Sequence, residues 1–174
     1  MLVLGIDPGT ATTGYGLVEI NHKSLTVLDF GLIETSKDGE TSKRLADIYK
    51  KMIVILKTHK PDVLAIEKIF FATNAKTAIG VGQAQGVMHL SAFHTNTKVA
   101  EYAPGTIKKI VAGDGRADKK EVQRSVRKIL GAKVRSQAHK KTHFDNAADA
   151  LAVALCHVYT IKAAGPQGLR PGGG

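Results

Sequence analysis

An α/β fold built on a mixed five-stranded sheet is predicted by three features of the sequence. Short apolar or alternating runs broken by close turns fill the first 35 residues. From residue 41 onward the apolar period lengthens to that of helices, and two further strand-like runs are interleaved with helical ones. The early connections, "PGTAT" and "NHK", are too short for crossovers, whereas whole helices separate the later strands. An antiparallel three-strand meander should therefore be followed by parallel strands, with helices on both faces.

Each element has its own signal. "MLVLGID" (1–7) is a short apolar run, "TTGYGLVEI" (12–20) is β-rich with glycine punctuation, and "SLTVLDFGLIET" (24–35) is extended. "TSKRLADIYKKMIVILKTH" (41–59) carries apolar residues at Leu45, Ile48, Met52, Ile53 and Leu56, a helical stripe opened by a Thr/Ser cap. "PDVLAIE" (61–67) is a strand bounded by Pro61. "NAKTAIGVGQAQGVMHLSAFH" (74–94) reads as a helix despite its glycines, and "KVAEYAP" (98–104) as a strand cut off by Pro104. Helices are expected over 105–112, 118–130 and 145–162, the second opened by Asp118 and the third by Asp145 or a neighbour. The basic stretch "GAKVRSQAHKKTHF" between the last two has no periodicity.

Residues 1–162 thus read as one domain, and the Gly/Pro-rich residues 163–174 as a disordered tail. A chain of 174 residues buries roughly 70% of its unfolded surface without staples. Lys and Arg number 25 against 15 Asp and Glu, a net charge of +10, which suits a polyanionic partner, nucleic acid before membrane. The single Cys156 provides neither a disulfide nor a zinc set, as expected of a reducing cytosol. No uninterrupted run of 18 apolar residues and no signal-like start is present, so neither a membrane span nor secretion is expected.

The carboxylates carry the chemistry. Asp7 ends the first apolar run directly before Pro8, Gly9 and Thr10, where it could cap the strand, face a phosphate or hold a metal. Glu67 ends the strand 61–67 in the same way. If these two strands are parallel neighbours, the two acids lie side by side at the carboxyl edge of the sheet, where ligands gather in such folds. In "HFDNAADALAVALCHVY", Asp149 follows Asp145 by four residues and Asn146 by three, so all three can share a helix face. Ala147, Ala148, Ala150 and Ala152 keep that turn slim enough to approach the sheet. Clustered carboxylates repel one another unless a divalent cation neutralises them. Hard oxygen ligands select Mg²⁺ or Mn²⁺, and two such ions can clamp an in-line phosphoryl displacement. Taken singly, Asp7 also reads as a turn residue, Glu67 as a solvent-facing strand end and Asp145 as a helix N-cap.

The segments "GIDPGT…TGYG", "AIEKIFFATNAKTA", "GQAQG", "EYAPGTIKK…G…ADKKEV" and "AADALAVALCH" run in this order from residue 1 to about 160. Together they resemble the RuvC-type Holliday-junction resolvases of the ribonuclease H-like superfamily. The resemblance implies a ribonuclease H-like sheet and a cytoplasmic, homodimeric, Mg²⁺-dependent endonuclease with two ions per site, Mn²⁺ being able to substitute. It implies paired symmetric nicks in four-way junction DNA, leaving 5′-phosphate and 3′-hydroxyl ends, and partnership with the branch-migration proteins RuvA and RuvB.

Residue by residue, Asp7 and Glu67 match the family's first two catalytic acids, and Asp149 matches the last. Three residues before the last acid the family carries Asp or His, and here Asn146 stands, with Asp145 one step earlier. Asn ligates through its carbonyl oxygen but brings no charge. Asp145 is therefore favoured as the further acid, with Asn146 as the competing ligand. Lys108 and Lys119 match basic residues near the family's active site, Lys119 in a catalytic role, and Phe70 matches an aromatic used against junction bases. Asn74, Arg116 and Lys120 complete the expected DNA-binding set, with Arg124, Arg127, Lys140 and Lys141 as phosphate contacts. Gln85 stands where the family often carries Arg. The small-residue row Ala78, Gly82 and Gly86 signals close approach of another element, either the chain's own sheet or, as the resemblance implies, a second copy. Other readings stay open: a smaller resolvase-like ribonuclease, a catalytically weak junction-binding protein, or an ATP-binding module of the sugar-kinase and actin type.

Overall fold

The structure, a computed structural model, describes residues 1–21, 24–36, 40–69, 75–131 and 141–164, with the backbone alone at Lys76 and 141–146. Phe70, Asn74, Lys140 and the tail 165–174 lie outside the described residues, as do the side chains of Lys141, Asp145 and Asn146. The strands are β1 (Leu2–Asp7), β2 (Thr12–Asn21), β3 (Ser24–Glu34), β4 (Val63–Glu67) and β5 (Lys98–Tyr102). The helices are α1 (Thr41–His59), α2 (Ala75–His94), α3 (Pro104–Ala112), α4 (Lys119–Leu130) and α5 (Lys141–Ala164).

The sheet order is β3-β2-β1-β4-β5. β1 pairs with β2 and β2 with β3 antiparallel, while β1–β4 and β4–β5 are parallel, as the connection lengths predict. Asp62 fixes the β1–β4 register: its carboxylate accepts from Leu2 N at 2.7 Å, and its own N–H donates to Leu2 O at 2.9 Å.

Strand alternation divides the core in two. Leu4, Ile6, Leu64 and Ile66 pack with Ile48, Met52 and Leu56 of α1 and Met88 of α2. Val3 and Ala65 point the other way, onto α3, α4 and α5. Asp7 follows Val3 and Gly5 in the alternation, and Glu67 follows Ala65, so both acids share the α5 face. That helix lies close on β1. A Cβ placed on Gly5 would overlap the Ala150 carbonyl oxygen and stand 2.6 Å from Ala154 N. Its stretch Ala147–Ala164 is apolar and long enough to cross a membrane, yet most of it is buried as the central core helix.

Three element ends differ from the sequence reading. Helix α1 is preceded by Glu40, which makes no side-chain cap bond, so the Thr/Ser pair lies inside the first turn. Helix α3 begins at Pro104, whose fixed φ and missing N–H suit a first helical position. Helix α5 begins at Lys141, placing Asp145 within the helix; an N-cap has non-helical backbone, so that reading of Asp145 is corrected. The same helix ends at Ala164, two residues past the expected boundary. Asp118 does cap α4, and its side chain and that of Glu121 form a reciprocal capping box.

Candidate active site

Asp7 and Glu67 stand one step beyond the Ile6–Ile66 register pair, at adjacent strand ends. The turn after Asp7 is held rigid by buried Thr13, whose hydroxyl donates to Gly9 O at 2.7 Å. From the covering helix, Asp149 reaches the same cleft of about 240 Å³, which Lys108 of α3 and Lys119 of α4 also line. A second cleft of about 210 Å³ shares Asp7, Glu67 and Pro104 with the first and adds Lys68 and Thr77. The acids thus sit on the ridge between two openings.

Burial gives these acids unusual proton affinities. Desolvation, with the Asp149 charge second, raises the Asp7 pKa to about 6 against the pull of Lys119. Desolvation also raises Glu67 to about 7, helped by the Asp7 and Asp149 charges and opposed by Lys108. The two carboxyls are hydrogen-bonded to each other. Asp149 is paired with the Lys119 ammonium at 2.7 Å. Among the described residues, no three His, Cys, Asp or Glu side chains close to metal-binding spacing. The donor chemistry nevertheless fits a hard divalent cation, because three carboxyl groups border one partly buried space.

A prediction arises here. Raised carboxyl pKa values mean that the folded, metal-free protein holds more protons than the unfolded chain between about pH 4 and pH 7. Stability contributed by Asp7 and Glu67 is full below that window and is lost as pH rises through it. In EDTA, Tm should fall between pH 5 and pH 8 more steeply for wild type than for Asp7→Asn, and Mg²⁺ should raise it at pH 8 but little at pH 5. Parallel pH profiles for the two proteins would contradict this account.

Of the residues singled out from sequence, the structure brings together Asp7, Glu67, Asp149, Lys108 and Lys119. Arg116 and Lys120 are exposed on the α3–α4 turn and on α4, outside the residues lining the cleft. Sequence reasoning missed Lys68, whose ammonium lies 3.8 Å from Glu101, an acid that also meets His89 at 3.4 Å and the Gln85 amide at 3.1 Å. Its position directly after Glu67 was the available signal.

The profile of the family described as "Crossover junction endodeoxyribonuclease RuvC" matches residues 3–157. Proteins of that name from Caldicellulosiruptor saccharolyticus and Moorella thermoacetica are 45% and 46% identical to this chain. The first alignment covers 91% of this chain and 92% of the relative, and the second 90% of each. Thermus thermophilus RuvC in complex with a Holliday junction substrate is similar in structure, with a TM-score of 0.84 at 32% identity over 94% of this chain and 96% of that one. On these grounds the chain belongs to the RuvC family of crossover junction endodeoxyribonucleases.

Proposed function

We propose that this protein resolves four-way DNA junctions by metal-dependent phosphodiester hydrolysis, using Asp7, Glu67 and Asp149. The observation that carries the reading is the convergence of three acids from β1, β4 and α5 on one cleft flanked by Lys108 and Lys119. Asp7, Glu67 and Asp149 would hold Mg²⁺, two ions in this proposal, which would supply charge neutralisation and Lewis-acid activation of the attacking water. Lys119 and Lys108 bring positive charge to the side where a scissile phosphate would sit, favouring the extra negative charge of the transition state. Asp145 joins the set on helical spacing, standing four residues before Asp149 and seven before Ala152, both of which line the cleft. Asn146, three residues before Asp149, is the competing ligand.

The paired, symmetric nicks of the proposal require two sites. Helix α2 supports a homodimer: Ile79, Leu90 and Phe93 form an exposed apolar stripe, Phe93 at 76% exposure. A Cβ at Gly86 would meet nothing within 4 Å, so tight packing on its own sheet does not explain that glycine. Sedimentation showing only monomer at micromolar concentration would remove this part. Family membership supports RuvA and RuvB as partners and a cytoplasmic location, and a pull-down with purified RuvA and RuvB tests the former.

The direct experiment is nicking of a synthetic four-way junction against linear duplex, with and without Mg²⁺. Asp145→Ala should cost as much activity as Asp149→Ala, and Asn146→Ala little. The reverse order would make Asn146 the ligand, and junction binding without any cleavage would leave only the catalytically weak reading.

A further inference from the structure

Beside the catalytic ridge lies a separate cavity of about 380 Å³, lined by Thr10, Thr41, Arg44, Thr77, Gly80 and Gln83 together with two apolar side chains. It is built from three distant segments: the turn after β1, the start of α1 and the first half of α2. The turn is fixed by Thr35, whose hydroxyl donates to Thr10 O at 2.7 Å. Gly80 lets α2 come close, since a Cβ there would stand 3.1 Å from the Thr10 methyl. Arg44 is half-buried, and its Nε–H donates to Ser36 O at 3.3 Å, which sets the plane of the guanidinium at the cavity.

The donor set is one-sided. Among the described residues, the lining side chains include one cation, three hydroxyls and an amide, and no carboxylate. Neither α1 nor α2 carries an acid in its first turn. Hydroxyls and a planar guanidinium together match the tetrahedral oxygens of a phosphate. Thr77 lines both this cavity and the cleft that contains Asp7 and Glu67, so the two spaces adjoin. A nucleic-acid strand laid across the acids would present its neighbouring phosphates in this direction.

We propose that this cavity holds a backbone phosphate of bound DNA, distinct from the one being cut, and that Arg44 with Thr10, Thr41, Thr77 and Gln83 sets the strand's register on the acids. The inference rests on the nuclease reading above. Contacts of this kind position a strand and carry no sequence information. Losing one should weaken binding uniformly across sequences.

The test compares junction binding, measured as Kd over a salt series, for wild type, Arg44→Ala, Thr77→Val and Gln83→Met, with thermal unfolding of each. Arg44→Ala should raise Kd about tenfold and lower the log–log salt slope by about 0.9. Thr77→Val and Gln83→Met, which keep Arg44, should each raise Kd about threefold. Methylphosphonates placed singly along the strand should reveal one non-scissile position that weakens wild type but adds nothing in Arg44→Ala. Unchanged Kd in Thr77→Val and Gln83→Met overturns the proposal even if Arg44→Ala unfolds. So does a methylphosphonate profile shared by wild type and Arg44→Ala, including the case where inorganic phosphate alone stabilises the protein. Failure of wild type to nick the junction in Mg²⁺ would strike the nuclease reading instead, and the binding comparison would still report on the cavity.

Discussion

Asp7→Asn is expected to abolish junction cleavage, by roughly a thousandfold or more, while Kd for the junction stays within about twofold of wild type. The substitution keeps the shape of a side chain sandwiched between β1, β4 and α5 and removes its charge. A thousandfold loss corresponds to about 4 kcal/mol of transition-state stabilisation, a reasonable share for a carboxylate that neutralises and places a divalent cation. Glu67→Gln should behave alike, because the two acids are hydrogen-bonded neighbours at adjacent strand ends and border the same cleft. Single-turnover cleavage with saturating enzyme checks both. Nicking of either variant at the wild-type rate would take that residue out of the chemistry.

Gly5→Ala should be the most damaging conservative change outside the acids. The added methyl would occupy the space of the Ala150 carbonyl oxygen and press on the Ala154 backbone. Those are backbone atoms of a helix buried along most of its length, so neither side can step aside without opening the core. Overpacking commonly costs 1–3 kcal/mol, and a backbone clash belongs at about 3 or above. For a chain of this size that corresponds to a fall in Tm of roughly 6–12 °C. Cleavage should fall as well, because moving α5 off β1 carries Asp149 away from Asp7. An unchanged Tm would show that α5 is less tightly seated than the structure describes.

The sheet was legible in the sequence because its logic is local. The apolar run of β1, the β-rich run of β2 and the short turns that follow them specified an antiparallel start, and the helices before β4 and β5 specified parallel neighbours. Asp7 and Glu67 followed from that topology alone, as charges at the ends of apolar strands. The start of α5 was not legible: Lys141, Thr142 and His143 have no apolar partners at helical spacing, so nothing marks the first turn before Phe144. The α1 cap was misread because Thr41 and Ser42 are typical cap types, whereas the backbone turns helical directly after Glu40. The cavity around Arg44 was beyond reach for a different reason. Its residues lie tens of positions apart, and only the packing of α2 against the β1–β2 turn brings Thr77 and Gln83 to Thr10. Gly82 and Gly86 did signal something, but sequence cannot distinguish a tight internal contact from an open face.

The order in which the acids occur along the chain bears on how the protein is made. Asp7 leaves the ribosome first of the three, Glu67 follows after β2, β3 and α1, and Asp149 arrives only with α5. Until that helix is released, β1 lacks the cover that Ala150 and Ala154 provide, and much of one face of the sheet stays exposed. The growing chain therefore displays its basic surface long before it can assemble a hydrolytic centre. A product truncated before residue 149 would lack the third acid of the proposed site. Its unfinished face would mark it for degradation. Placing the third acid of the proposed site on α5 makes emergence of that helix a precondition for cutting DNA.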